Sequence, residues 1–314
     1  MNLKDCAKLL SGQDEILLVT HRNPDGDTMC SAAALCSALR RKGKTAWLFP
    51  NVETTRKYRP YVEAFFAPED FAPRYTVSVD AATDRMFAPG FEGKVDLSID
   101  HHPTNSHYAA KELIWPDRAA CGEIVLELIK ALAGKPTKEE ADLLYIAVTT
   151  DCGCFQYANT NARTLRAAAE LLDYGADNHV LNLRMFRTVS VARMKLEGMI
   201  FSSMGFYHGG KVTVATVTRA MLREAGAAED DLDDLANLPG KAEGSILSIT
   251  IREQEDGASR ISVRSHPEIN SSELCAVFGG GGHAMAAGCN IDEPPEKARE
   301  MILAVVDELL REKI

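Results

Sequence analysis

Four apolar runs in the first hundred residues, EILLVT (15–20), KTAWLF (44–49), YTVSVD (75–80) and VDLSID (95–100), read as buried strands. Helix-patterned segments follow or intervene: TMCSAAALCSALRRKG (28–43), CGEIVLELIKALAG (121–134), KEEADLLYIAVTTD (138–151) and NARTLRAAAELLDYGAD (161–177). Gly43, Gly134 and Gly175 stand where those helices should stop. Strands alternating with helices predict an α/β fold with a parallel, doubly wound sheet. At 314 residues the chain is too long for one ordinary core, so a second domain is expected. After a helical stretch rich in basic residues (Arg184, Arg187, Arg193, Lys195), strand-like runs come closer together: KVTVATV (211–217), SILSITI (245–251), SRISVRS (259–265) and GCNI (288–291). An amphipathic helix over 294–314 closes the chain. The expected organisation is a catalytic α/β domain over 1–185, a connecting helix over 186–205, and a smaller α/β domain with a mixed sheet over 206–314. An active-site cleft is expected between the two domains.

The apolar runs share a second property, which is that each tends to end on an acid. The turn after the first reads HRNPDGD and holds His21, Asp25 and Asp27. Asp80 closes VSVD, Asp100 closes VDLSID with His101 and His102 directly after it, and Asp151 ends IAVTTD. One such acid is unremarkable, and Asp25 or Asp27 could simply cap the helix that begins near Thr28. Several acids at the carboxyl edge of one parallel sheet converge where such sheets bind ligands. Like charges gathered there repel one another, and a divalent cation is the simplest agent that reverses the sign of the interaction. Mixed carboxylate and imidazole donors favour Mn²⁺, with Mg²⁺ or Co²⁺ as alternatives. Two such ions can generate hydroxide and stabilise in-line displacement at phosphorus.

HRNPDGD, VSVDAA, SIDHHPTN and VTTDCGCF together resemble, in order, the four motifs of the DHH phosphoesterase superfamily. That superfamily includes RecJ-like exonucleases, family II inorganic pyrophosphatases, cyclic dinucleotide phosphodiesterases and small nanoRNases that also dephosphorylate pAp. The resemblance implies a dinuclear site. His21 and Asp25 would bind one ion, Asp27 and His101 the other. Asp80 would bridge, and Asp151 would be a further shared or first-site ligand. Asp100 would orient an imidazole, and His102 would face the scissile phosphate or assist proton transfer. The chain departs from the superfamily pattern at Cys30-Ser31, where members often carry Gly-Ser, and at Cys152, where they often carry Thr. Both cysteines read as small buried hydrophobes.

FGGGGHAMAAG (278–288) removes four successive Cβ atoms and offers backbone N–H groups to an anion. It is not a dinucleotide fingerprint, because Ala284 stands where the last glycine is needed. With SRISVRSHPEIN upstream it resembles the DHH-associated substrate domain. The resemblance implies that Arg264 and His283 grip substrate, while Ser262, Asn270, Gly280, Gly281 and Gly282 line the pocket. The substrates implied are short RNA oligonucleotides of two to five residues, linear dinucleotides such as pGpG, and pAp. The alternatives are an inorganic pyrophosphatase, a cyclic dinucleotide phosphodiesterase, or a nucleotide-binding regulator without catalysis. A homodimer is implied by the resemblance alone.

A formal net charge of −10 argues against binding long duplex nucleic acid, which needs many Lys/Arg–phosphate contacts. No run of eighteen apolar residues occurs, so no membrane partner is expected. The charged N-terminal segment lacks the apolar stretch of a signal peptide, and the eight cysteines show no disulfide framework, so a cytoplasmic location is expected.

Overall fold

The computed structural model describes residues 1–232 and 234–311. The chain divides into two compact units, one of Met1–Thr188 and one beginning at Val189. The first contains α1 (Leu3–Ser11), β1 (Ile16–Val19), α2 (Gly26–Arg41), β2 (Ala46–Leu48), a short α3 (Arg59–Val62), β3 (Tyr75–Val79), β4 (Leu97–Asp100) and β5 (Lys111–Ile114). It continues with α4 (Cys121–Ala133), α5 (Lys138–Asp151), α6 (Ala162–Asp173) and α7 (Asn178–Asn182), and then a π-helical turn, Leu183–Arg187.

The five strands are parallel, in the order β2-β1-β3-β4-β5. All four residues of β1 and of β4 are buried. Burial along the whole strand, on both faces, is what a sheet covered on both sides requires; β1 meets it with four apolar residues, and β4 also buries Ser98 and Asp100. The strand order reverses between β1 and β3, and this switch point is where an open α/β sheet leaves a crevice beyond its strand ends. Helix α2 is capped by Asp25, whose side chain accepts from the N–H groups of Asp27 and Thr28. Its run Ala32–Ala33–Ala34 is fully buried, and small side chains there let α4 and α5 pack closely against it. Helix α5 opens with a Thr137–Glu140 capping box, and fully buried Glu140 also takes an Arg41 guanidinium 3.0 Å away from the end of α2.

Strand β5 and helix α1 are among the elements of this unit that lie outside the sequence reading. Strand β5 is an edge strand with only Leu113 buried, so it lacks the apolar run that marks its neighbours. Helix α1 buries only Cys6, Ala7 and Leu10, a stripe too narrow to stand out from its charged surroundings.

The second unit contains α8 (Val191–Ser203), β6 (Gly205–Tyr207), β7 (Val212–Val217), α9 (Arg219–Ala225), β8 (Leu247–Glu253), β9 (Ser259–Ser265), α10 (Ser271–Ala276), β10 (Gly281–His283), β11 (Ala286–Ile291) and α11 (Pro295–Arg311). Its six strands run in the order β10-β11-β9-β8-β7-β6; β7 and β8 are parallel and the other pairs antiparallel, so the sheet is mixed. Ala298, Ile302 and Val306 of α11 pack with Val212, Val214, Ile249 and Ile261. Leu196 and Ile200 of α8 pack instead with Ala215, Val217 and Leu222. The stretch read from sequence as connecting, 186–205, is therefore divided. Its start belongs to the π-helical turn of the first unit, and α8 is a core element of the second. The last three residues of the closing helix expected over 294–314 lie outside the described residues. Among the described residues no helix is long and apolar enough to cross a membrane.

Candidate metal centre

The ends of β1, β3 and β4 bring their polar residues to one point. His21, two residues beyond β1, has its Nε2 3.7 Å from Asp25 Oδ1 and 3.7 Å from Asp80 Oδ2. His101, just past β4, has its Nε2 3.3 Å from Asp80 Oδ1, 3.7 Å from Asp151 Oδ2 and 4.0 Å from Asp27 Oδ2. Three sets of donor atoms lie close enough to share a cation: His21–Asp25–Asp80, Asp27–His101–Asp151 and Asp80–His101–His102. Asp80 and His101 each belong to two of them. Asp151 groups with Asp27 and His101, not with His21 and Asp25. It also arrives from the end of helix α5, whereas the other acids follow strands.

Hydrogen bonds fix how each group presents itself. His21 Nδ1 is bonded to Arg22 O at 2.8 Å and His101 Nδ1 to Arg118 O at 3.1 Å. A carbonyl can only accept, so each Nδ1 donates its proton there and each Nε2 is the nitrogen turned toward the carboxylates. His102 differs, because its Nδ1 bonds the buried Asp100 carboxylate at 2.7 Å. Asp100 also accepts from the His101 and His102 N–H groups and from Asn105 Nδ2, so it is fully engaged in orienting this turn. Fully buried Asp27 meets the N-terminus of α4. Cys121 N–H donates to its Oδ2 at 2.6 Å, and Gly122 N–H and the Ser31 hydroxyl donate to its Oδ1 at 2.9 Å. The positive end of the helix dipole steadies that carboxylate. Asp25 keeps its capping role and also faces His21, so capping and clustering coexist at this acid.

The electrostatics ask for more positive charge than the side chains supply. Burial alone would lower the His21 and His101 pKa values, but the adjoining carboxylates outweigh it and raise them to about 11 and about 10. Burial, with Asp80 and Asp151 close by, holds the Asp27 carboxyl well above the usual range. Burial likewise pushes Asp151 up to about 7. Asp80 moves the other way; burial would raise it, but the His101 and His21 imidazoles hold it low. Its Oδ1 is nonetheless buried with no hydrogen-bond partner. A buried carboxylate oxygen left without a hydrogen-bond partner, 3.3 Å from His101 Nε2, fits a divalent cation in donor type and in charge.

Residues 15–148 match the DHH family N-terminal domain, and residues 209–312 match the DHHA1 domain. A Thermus thermophilus protein named bifunctional oligoribonuclease and PAP phosphatase NrnA is 35% identical over 305 residues, covering 94% of this chain and 90% of its own. The chain belongs to the DHH family. A Bacillus subtilis DHH relative of the same name is 27% identical over 97% of both chains. The crystal structure of an exopolyphosphatase-related protein from Bacteroides fragilis superposes with a TM-score of 0.87, at 22% identity, over 98% of this chain and 95% of that one. At that identity the likeness speaks to fold.

Gly26, in the DHH-family turn DGD, has a packing reason. A Cβ there would lie 2.3 Å from Thr150 Oγ1 and 2.9 Å from Thr150 Cβ, so only glycine lets the start of α2 come this close to the end of α5. Gly26→Ala is expected to cost about 1–3 kcal/mol by overpacking and to pull Asp25 and Asp27 away from Asp151. Thermal melts and Mn²⁺ titrations of Gly26→Ala and Gly26→Ala/Thr150→Ala test this. The second change removes Thr150 Oγ1 and Cγ2, the two nearest atoms, and leaves Cβ 2.9 Å away, so it should restore part of both losses.

In the second unit, cross-strand register sets His283, Ala286 and Arg264 in one row and Gly281, Gly288 and Ser262 in the next. Residues in register share a sheet face, so these four sequence candidates lie on one face with only small residues between them. The remaining three have structural duties. Asn270 Oδ1 caps α10, and its amide donates to Glu273. A Cβ at Gly280 would strike Gly288 O at 2.3 Å, and one at Gly282 would strike Ala286 O at 2.7 Å. Cys30 and Cys152 are buried, as expected of small hydrophobic residues at those positions.

The sequence reading missed several groups that build this centre: Arg118 O, the N–H groups of Cys121 and Gly122, Ser31 and Asn105. The first three are backbone atoms and carry no side-chain signal. Asn105, five residues after Asp100, could have been found as an amide placed within reach of a buried carboxylate.

Proposed function

We propose that this DHH-family hydrolase cleaves phosphate esters of short nucleotides: oligoribonucleotides of two to five residues, linear dinucleotides such as pGpG, and the 3′-phosphate of pAp. The observation that carries the reading is that the donor sets His21–Asp25–Asp80 and Asp27–His101–Asp151 meet at the sheet's switch point, where Asp80 Oδ1 lies 3.3 Å from His101 Nε2. The substrate class follows from the names of the full-length relatives in Thermus thermophilus and Bacillus subtilis. His21, Asp25 and Asp80 would hold one divalent cation; Asp27, His101, Asp151 and Asp80 would hold the second, with Mn²⁺ preferred for its tolerance of mixed donors. Cations there would supply Lewis acidity and a nucleophile for in-line displacement at phosphorus.

The remaining chemistry belongs to the side chains. His21 and His101 have Nδ1 tied to carbonyls, and on releasing the Nε2 proton would serve a cation as neutral donors through Nε2. His102 has Nδ1 tied to a carboxylate, and although burial opposes it, Asp100 and Asp80 raise its pKa. It can therefore hold a proton at Nε2 and deliver it to the leaving oxygen. In the second unit, Arg264, Ser262 and His283 share one face with the exposed glycine hairpin and offer contacts to phosphate or base. The eight free cysteines support a cytoplasmic setting.

The test is a time course with an end-labelled pentamer, pGpG, pAp and pyrophosphate, each with Mg²⁺, Mn²⁺ and Co²⁺. Mononucleotide release from the oligomers in Mn²⁺ is expected. Turnover of pyrophosphate alone would replace this reading with a pyrophosphatase, and tight nucleotide binding without turnover would replace it with a regulator.

The assembly we propose is a homodimer through α6. Leu165 and Leu172 lie exposed two turns apart on one helix face. Beside them, Arg166 stands toward the N-terminus and Asp173 at the C-terminus, the reverse of what the helix dipole favours. Two copies packed antiparallel about a two-fold axis would place each Arg166 against the partner's Asp173. Sedimentation should show Arg166→Glu weakening the dimer by about tenfold and Arg166→Glu/Asp173→Arg restoring it. A wild-type monomer at micromolar concentration would rule the assembly out.

A further inference from the structure

Asp80 occupies an uncommon backbone state. Its φ is +61°, in the left-handed region that a non-glycine residue enters only when its surroundings hold it there. Two sets of bonds do so. Asp80 N–H donates to Ile99 O at 2.9 Å, and Ser106 N–H donates to Ala82 O at 2.8 Å. Between them the Ala81 carbonyl accepts from the Tyr108 hydroxyl at 2.8 Å and from Asn105 Nδ2 at 3.3 Å.

Tyr108 is itself well anchored. Having given its hydrogen to Ala81 O, its oxygen can accept from the hydroxyls of Ser78, at 2.8 Å, and Ser98, at 3.2 Å. Those serines are in register on β3 and β4, and both are fully buried. The ring meets Phe87 edge-on, with centroids 5.3 Å apart, and Phe87 is the backbone bridge partner of His21. One side chain thus touches the turn that carries Asp80 and the segment paired with His21. Burial pushes the Tyr108 phenol up to about 12, so it remains a donor at any working pH.

We propose that Tyr108 is a positioning residue for the shared carboxylate: its hydroxyl pins the Ala81 carbonyl and so keeps the left-handed turn that aims Asp80 between His21 and His101. The inference rests on the two-cation reading above, and the experiment separates the two. Tyr108→Phe keeps the ring and its contact with Phe87 and removes only the hydroxyl. Ser78→Ala removes a partner of that hydroxyl and leaves its bond to Ala81 intact.

Mn²⁺ titrations by calorimetry, with melting curves of the metal-free proteins, provide readouts independent of turnover. Tyr108→Phe should lose about ten- to a hundredfold in affinity for at least one of two Mn²⁺ ions, the range seen when an outer partner of a metal ligand is removed. Its metal-free melting temperature should stay close to that of wild type, and Ser78→Ala should bind Mn²⁺ within about threefold of wild type. Wild-type affinity in Tyr108→Phe overturns the proposal. So does an equal loss in Ser78→Ala, which would assign the effect to packing, and so does collapse of the metal-free fold in Tyr108→Phe, which would assign the hydroxyl to folding. A wild-type protein that binds no Mn²⁺ overturns the two-cation reading, and this inference with it.

Discussion

Asp80→Asn is expected to abolish hydrolysis of every substrate while leaving the fold intact. Asparagine has the same shape and is among the few residues that tolerate positive φ, so the +61° turn should survive the substitution. What is lost is the charge that faces His21 through Oδ2 and His101 through Oδ1. An amide has one oxygen and no negative charge, so it cannot serve both donor sets. Losing a cation's share of transition-state stabilisation, several kcal/mol, corresponds to roughly a thousandfold or more in rate. Steady-state kinetics with the labelled dinucleotide and Mn²⁺ stoichiometry by calorimetry check this. The number of bound ions should fall below two. Activity within tenfold of wild type would show that Asp80 is not shared.

The second large effect is the response to chelation and pH. Without a cation, protons on His21 and His101 are the charges that balance the acids, and their pKa values stand near 11 and 10, against 6.5 for an ordinary histidine. A pKa raised in the folded state contributes stability that is fully present below 6.5 and lost as pH rises through the folded value. The chelator-treated protein should therefore melt at falling temperature as pH rises from about 7 toward 10–11, while the Mn²⁺-loaded protein should lack that decline. Proton and cation compete for the same Nε2 lone pairs, and Asp151, raised to about 7, adds a competing proton. Mn²⁺ affinity should accordingly increase with pH, and binding at pH 7 should release protons, measurable in buffers of different ionisation enthalpy. Chelation should abolish turnover and Mn²⁺ should restore it. Flat affinity between pH 6 and 8, with no proton release, would remove the imidazoles from the centre.

The strand ends were readable because burial on both faces writes strands such as ILLV as apolar runs, and because acids and histidines stand abruptly at the ends of such runs. The neighbouring helices were readable for a similar reason, since small or apolar residues recur at helical spacing and Gly43, Gly134 and Gly175 sit at their ends. β5 was not readable, because an edge strand that buries one residue leaves almost no pattern. In the second unit, Arg264 and His283 were singled out only through the resemblance of their segments to the DHH-associated domain. That they share a sheet face, while Asn270 turns to capping, depends on cross-strand register.

The sequence alone therefore determined which side chains gather: donor identity and position along each strand are local properties, encoded by where an apolar run stops. Only the tertiary structure decided how they divide and where they point. Asp151 joins Asp27 and His101 because Gly26 lets two helix ends meet, and Asp27 is steadied by backbone amides of a helix nearly a hundred residues away in the chain. Asp80 points where it does through a left-handed turn held by Tyr108. A side chain's hydrogen bond to a distant backbone atom has no signature in residue type at the backbone end, so the identity of the donors was local information and their orientation was not.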